Sequence, residues 1–125
     1  MSGRARLLVV DDDPGIRQML TLALAERGYD VTTTDGRARL EVAGYDLVLL
    51  DARLGGRTAA DVAAAGELAE GPPVLLMTAA LDAKVPAQGV EPAGAIAKPF
   101  DLVDLFAAIE QCLAEPSAGG RPPAR

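Results

Sequence analysis

The sequence contains no histidine and a single cysteine, Cys112. These counts exclude a disulfide framework within one chain and the usual Cys/His spacings of zinc sites, so any bound metal must be held by oxygen atoms. No apolar run reaches the roughly 20 residues that a membrane-spanning helix requires, and the N-terminus lacks a signal-peptide core. We therefore expect the chain to reside in the cytoplasm.

Positive charge is also scarce. The chain has 12 Lys and Arg residues against 18 Asp and Glu residues, a formal net charge of -6. This balance disfavours nucleic acid and anionic membrane surfaces as direct partners, because both attract basic patches. A length of 125 residues corresponds to one domain. We place this domain at residues 1–115, followed by a disordered tail or the start of a linker over 116–125, which has no apolar periodicity.

Short apolar runs alternate with helix-like segments along the chain. This alternation is typical of an α/β fold, in which a parallel sheet is covered by helices on both faces. The runs predict five strands, at Leu7–Val10, Val31–Thr34, Leu47–Leu50, Val74–Met77 and Ala95–Ala97.

Helix signals are strongest near the two ends of the chain. Asp13 can cap a first helix that starts at Pro14 and ends at Gly28. A last helix follows Asp101, with apolar residues at helical spacing up to Leu113. Weaker patterns predict a short second helix around Arg37–Ala43, a third around Ala59–Glu70, and an abbreviated fourth within Leu81–Gly94, where prolines and glycines interrupt the pattern.

Charged residues stand where the predicted strands end. Asp11 and Asp12 follow the first strand, Asp51 follows the third, and Lys98 follows the fifth. Because parallel strand ends face a common crevice, we expect these groups to converge. Crowded carboxylates repel one another, and Mg²⁺, which prefers oxygen ligands, would relieve that repulsion. Thr78, at the end of the fourth strand, would add a hydroxyl donor at this edge, so the pattern indicates phosphoryl chemistry.

Four segments in this order resemble the receiver domain of two-component response regulators. They are LVVDDDPGIR at 8–17, YDLVLLDARL at 45–54, VLLMTA at 74–79 and AKPFD at 97–101. The resemblance covers residues 7–113, and it implies a doubly wound, flavodoxin-like sheet of five parallel strands in the order 2-1-3-4-5, with helices on both faces.

The resemblance also implies a role for each site residue. Asp51 would accept a phosphoryl group from a sensor histidine kinase or a histidine phosphotransfer protein, and the signal would pass to an unknown downstream protein. Asp12 would bind Mg²⁺ directly, Asp11 through water, and the carbonyl of Arg53 would complete the protein ligands together with Asp51. The phosphoryl oxygens would contact Thr78, Lys98 and the backbone N–H of Ala79. Such a chain catalyses only its own phosphorylation and dephosphorylation, and is not otherwise an enzyme.

Three positions depart from the family pattern. Gly55 stands where the family usually has proline, Ala59 where it has glycine, and Ala95 where it commonly has an aromatic side chain that reorients on phosphorylation. The usual threonine–aromatic switch therefore cannot operate as in typical members.

Other interpretations of the same residues stay open at this stage. Asp11–Asp13 can be a helix-capping cluster alone. A phosphatase of the haloacid dehalogenase type also uses a strand-end aspartate and Mg²⁺, although its motif does not match Asp11-Asp12-Asp13-Pro14. A third alternative is a receiver-like module that binds a protein partner without phosphate.

Overall fold

The structure, a computed structural model, describes residues 4–79 and 89–114. Within these ranges the chain alternates between strands and helices. In chain order the elements are β1 (Arg6–Val10), α1 (Pro14–Glu26), β2 (Asp30–Thr34), β3 (Leu47–Asp51), α2 (Ala59–Ala64), β4 (Val74–Thr78), β5 (Gly94–Ala97) and α3 (Leu102–Ala114).

The five strands form one parallel sheet in the order β2-β1-β3-β4-β5. Both the predicted strands and their order are confirmed. The register aligns the strand ends, since Val10 lies opposite Thr34 on one side and Leu50 on the other. Thr78 in turn lies opposite Ala97. The residues that follow β1, β3 and β5 therefore emerge at the same edge.

Two apolar layers pack on the two faces of the sheet. Alternate residues of the central strands point to each face, as the pleat requires. One layer is completed by α1 and α3, through Leu20, Leu24, Leu105, Ile109 and Cys112. The other is completed by α2 and by the segment before β3, through Ala59, Val62, Leu40 and Val42. Cys112 is thus a buried core residue.

The prediction of a second helix around Arg37–Ala43 is wrong. This segment is irregular in the structure, although it still buries Leu40 and Val42 against the sheet. Its backbone bonds to side chains distant in sequence: the N–H of Leu40 donates to Glu67, and the carbonyl of Ala38 accepts from Arg57. The backbone N–H and carbonyl groups that would bond to each other in a helix are therefore bonded to these side chains instead.

The third predicted helix is also shorter than expected. α2 ends at Ala64 instead of Glu70, because Ala65 forms the C-cap and Gly66 follows with φ +77°. α1 starts at Pro14 as predicted, with Asp13 capping the first turn. It ends at Glu26, two residues before Gly28, which has φ +93°. The abbreviated helix predicted within Leu81–Gly94 falls largely outside the described residues, as does the tail at 116–125. Among the described helices, none has the length and apolar character needed to cross a membrane.

Candidate functional site

Three carboxylates meet at the edge where β1 and β3 end. Asp11 and Asp51 are buried, Asp12 is exposed, and one oxygen atom from each lies within 4.8 Å of the others. The strand register explains this proximity, since Asp11 follows Val10 and Val10 pairs with Leu50, the residue before Asp51. Oxygen ligands at this spacing fit a hard divalent cation such as Mg²⁺.

Lys98 directly follows β5, an edge strand, and its side chain reaches two carboxylates of this cluster. Its Nζ donates to Asp11 Oδ2 at 2.8 Å and to Asp51 Oδ2 at 3.1 Å. The backbone N–H of Lys98 also donates to the carbonyl of Thr78 at 2.8 Å, which extends the β4–β5 pairing by one residue. One ammonium group therefore bridges two buried carboxylates that come from different strands.

The pKa values within this cluster show how the charges are balanced. Burial raises the pKa of Asp51, the negative charge of Asp11 raises it further, and Lys98 only partly offsets these two effects. For Lys98, burial alone would lower the pKa, but its hydrogen bonds and the charges of Asp11 and Asp51 prevail and raise it. Lys98 thus holds its proton more strongly than a free lysine does, while negative charge on Asp51 is less favourable than in water. A bound cation would relieve this excess of negative charge.

The β1–α1 loop gives separate tasks to its three aspartates. Asp13 caps α1, because its Oδ1 accepts from the N–H of Gly15 at 2.8 Å and of Ile16 at 3.4 Å. Asp11 instead turns inward, where its Oδ1 accepts from the N–H of Asp13 at 2.9 Å. A capping role therefore explains Asp13 alone and leaves Asp11 and Asp12 to the site.

Asp12 lies beside the loop that follows Asp51. A Cβ atom built at Gly55, whose φ is +75°, would meet Asp12 Oδ2 at 3.1 Å. Glycine at this position accepts the positive φ and gives the Asp12 carboxylate room.

The remaining predicted residues lie around this edge. Thr78 is buried as the last residue of β4, and Ala79 follows it at the surface. The backbone N–H of Arg53 donates to Asp51 Oδ1 at 3.3 Å, and the Arg53 residue is exposed. Their contacts with metal or phosphoryl oxygens stay predictions.

Sequence reasoning missed one residue at the site. The Arg17 guanidinium donates from Nη1 to the carbonyl of Asp11 at 2.7 Å. Nothing in the sequence distinguishes Arg17 from an exposed helical arginine, apart from its position one turn after the capping Asp13.

Comparison with known proteins places this site in a family. The family model described as the response regulator receiver domain matches residues 7–110. The chain is 37% identical over 113 residues to the DNA-binding response regulator MtrA of Mycolicibacterium smegmatis, covering 85% of this chain and 49% of MtrA. It is 34% identical to the DNA-binding transcriptional regulator NtrC of Rhizobium meliloti over 119 residues, or 90% of this chain and 25% of NtrC. The chain thus spans half or less of the length of these relatives.

Solved structures agree with this assignment. The non-phosphorylated HemR receiver domain of Leptospira biflexa superimposes with a TM-score of 0.75 at 28% identity, covering 95% of this chain and 98% of that one. The response regulator TrrA of Thermotoga maritima, in complex with Mg²⁺-BeF, gives 0.70 at 29% identity, covering 87% and 99%. The acidic cluster described above matches the site at which receiver domains bind Mg²⁺. The chain therefore belongs to the receiver-domain family of response regulators.

Proposed function

We propose that Asp51 of this receiver accepts a phosphoryl group from a phosphohistidine, carried by a sensor histidine kinase or a histidine phosphotransfer protein. The observation that supports this most directly is the charge cluster itself. Lys98 bridges Asp11 and Asp51 at 2.8 and 3.1 Å, and Asp12 completes a carboxylate triad within 4.8 Å. This arrangement places a nucleophilic carboxylate beside a fixed cation and beside ligands for a second one.

The proposed step needs no other reactive side chain. A carboxylate oxygen of Asp51 forms a bond to phosphorus while the bond between phosphorus and the donor's imidazole nitrogen breaks, and the electron pair of that bond stays on nitrogen. Hydrolysis later adds water to phosphorus, releases inorganic phosphate and a proton, and restores the carboxylate. Both steps consist mainly of positioning and charge stabilisation, so the absence of histidine from this sequence is no obstacle.

We assign the metal ligands to Asp11, Asp12, Asp51 and the Arg53 carbonyl. Mg²⁺ at this position would neutralise charge on the incoming phosphoryl oxygens. Lys98 is already directed at Asp51, and it would transfer one of its hydrogen bonds to a phosphoryl oxygen. Thr78 and the N–H of Ala79, at the end of the neighbouring strand, would provide two further donors.

The alternatives gain no support from the site. A haloacid-dehalogenase-type phosphatase would need a second acid two residues after its nucleophile, and Asp13, the residue two after Asp11, is bound as the cap of α1. We therefore expect the chain to act only on its own acyl phosphate, with no turnover of small phosphate esters. A module that works without phosphate would have no need of the Lys98 bridge between two buried carboxylates.

The decisive experiment is intact mass after incubation with phosphoramidate or acetyl phosphate, with and without Mg²⁺, beside an Asp51→Asn control. One added phosphoryl group that requires both Mg²⁺ and Asp51 is the expected result. A folded protein that gains no phosphoryl group from these donors or from a phosphorylated histidine phosphotransfer protein would refute the proposal.

We further propose that this chain signals in the cytoplasm through a protein surface and not through DNA contacts of its own. MtrA and NtrC are DNA-binding proteins by name, but the chain spans half or less of either. Its net charge of -6 opposes binding to a polyanion.

A further inference from the structure

We propose that Arg17 is a positioning residue that sets the Mg²⁺ affinity of the site by fixing the peptide between Asp11 and Asp12. The inference rests on the proposed function, since it assumes that these aspartates bind the metal. Arg17 lies on α1 and is positively charged, so its role at the site would be to position the aspartates and not to bind the metal itself.

The geometry starts from one short hydrogen bond. Arg17 Nη1 lies 2.7 Å from the carbonyl oxygen of Asp11, and the Arg17 residue is half-buried. That carbonyl belongs to the peptide unit linking Asp11 to Asp12, whose atoms lie in one plane. Holding the oxygen therefore holds the plane, and with it the direction in which the Asp12 side chain leaves the backbone.

Asp11 and Asp12 depend on this bond to different degrees. Asp11 is also held by its own N–H, which donates to the Thr34 carbonyl at 3.1 Å, and by its side chain, which bonds to Lys98. The Asp12 carboxylate is exposed and makes no hydrogen bond to any residue in the described part of the chain. Among the described residues its location is therefore set by the backbone, which Arg17 holds at the Asp11 carbonyl and Asp11 Oδ1 holds at the N–H of Asp13.

Arg17 is itself well anchored. Its N–H donates to the Asp13 carbonyl at 3.1 Å, and its carbonyl accepts from Thr21 Oγ1 at 2.7 Å. The guanidinium thus extends from a capped first turn of α1 back to the loop that precedes the same helix. Loop and helix form one closed unit, in which a shift of Asp12 requires breaking a charge-assisted hydrogen bond.

Charge and position predict opposite effects on metal binding. A guanidinium near the carboxylates repels a cation, so a purely electrostatic Arg17 would weaken Mg²⁺ binding, and its removal would strengthen it. A positioning Arg17 strengthens binding, and its removal weakens it. Residues that orient metal ligands typically change affinity by about 10- to 100-fold when they are replaced. The sign of the change therefore separates the two roles.

The test is Mg²⁺ titration calorimetry on metal-free wild-type protein, Arg17→Gln and Arg17→Lys. Arg37→Gln is the matched control, because it removes the same charge from a side chain that is 84% exposed. We expect about tenfold weaker binding for Arg17→Gln. Arg17→Lys should also bind more weakly, since one flexible ammonium replaces the planar donor, and Arg37→Gln should match wild type. The maximal phosphorylation rate at saturating Mg²⁺ should change much less than the Mg²⁺ concentration at half-maximal rate.

A second measurement does not need the metal. In metal-free protein, amide hydrogen exchange at Asp12 and Asp13 should be faster in Arg17→Gln than in wild type, and unchanged in Arg37→Gln. Equal or tighter Mg²⁺ binding by both Arg17 variants would overturn the inference while leaving the proposed function intact. Wild-type protein that binds no Mg²⁺ would overturn both.

Discussion

Replacing Arg57 with methionine should destabilise the fold more than any loss of a surface charge. Arg57 donates two hydrogen bonds to the Glu67 carboxylate, at 2.7 and 2.9 Å, and Glu67 is only 6% exposed. The same guanidinium donates to the carbonyls of Gly36 and Ala38, both at 2.9 Å. Glu67 also accepts from the N–H of Leu40 at 2.8 Å. One ion pair thus fixes the irregular segment that covers the second face of the sheet.

The magnitude follows from what the substitution leaves behind. In Arg57→Met the Glu67 carboxylate stays buried with the Leu40 N–H as its one remaining donor among these contacts. Breaking a buried ion pair on one side typically costs about 3–5 kcal/mol. The Arg57 side chain is 20% exposed, so water can reach part of the vacated space. We therefore expect a loss near the lower limit, about 3 kcal/mol of the free energy of unfolding.

The loss should depend on pH with a definite sign. The hydrogen bond from Arg57 is the main reason that the pKa of Glu67 lies below its usual value of 4.5. A lowered pKa means stabilisation that is complete above 4.5 and is lost as the pH falls through the folded-state value. Without Arg57 this pKa rises, because only the Leu40 N–H and the charge of Arg39 are left to oppose the effect of burial. The difference between wild type and Arg57→Met should therefore be largest near neutral pH and shrink in acid.

Urea unfolding of both proteins between neutral and acidic pH measures these differences. Glu67→Gln and Glu110→Gln form a matched pair of controls, because they are the same chemical change at a buried and at an exposed ion pair. Glu110 pairs with Arg27 at 2.7 Å, but its side chain is 57% exposed, so its loss should cost less than about 1 kcal/mol. A loss below about 1 kcal/mol for Arg57→Met, or one that does not vary with pH, would refute the reasoning.

Four further outcomes follow from the site. Asp12→Ala should fold normally but lose both the rise in melting temperature caused by Mg²⁺ and phosphorylation by acetyl phosphate, as thermal melts and intact mass would show; full phosphorylation would contradict the metal assignment. Lys98→Met should lower the melting temperature of the metal-free protein, because two buried carboxylates lose the ammonium group that hydrogen-bonds both, and Mg²⁺ should restore part of the loss. Gly55→Ala and Gly28→Ala should each lower the free energy of unfolding by about 1 kcal/mol, because both glycines have a positive φ. Only Gly55→Ala should weaken Mg²⁺ binding in calorimetry, because its Cβ would contact Asp12, whereas a Cβ at Gly28 would contact nothing. The chain alone should not shift a DNA duplex in electrophoresis at physiological salt, with or without phosphorylation, and a shift would contradict the proposal that this chain makes no DNA contacts of its own.

The sequence was sufficient to predict the sheet and the convergence of the charged residues. Buried parallel strands appear in a sequence as apolar runs, and β3 and β4 are apolar at every position up to Asp51 and Thr78. The charged residues come directly after such runs, so locating the strands also located Asp11, Asp51 and Lys98. Local sequence patterns are therefore enough to locate the strands and the charged residues at their ends, without reference to contacts between distant residues.

The helical segments on the second face were predicted less well, for a physical reason. Residues 37–43 carry only two large apolar side chains, Leu40 and Val42, whose i, i+2 spacing does not form a helical face. The helix preference of so few residues is also weak. The bonds that determine their conformation come from Arg57 and Glu67, which lie on the other side of β3 in the sequence. No local pattern could show that these two side chains meet, and the same limitation hid the contact of Arg17 with Asp11.

The departures from the family pattern lie around the charge cluster and leave the cluster itself intact. Gly55 lies next to Asp12, and Ala95 is exposed on β5, an edge strand of the sheet. Phosphoryl transfer requires charges that the strand ends hold in place, whereas transmission requires a surface that changes shape. A small side chain at Ala95 removes the usual aromatic contribution to that change. We therefore expect Ala95 to affect how the phosphorylated state is transmitted and not the phosphorylation of Asp51 itself.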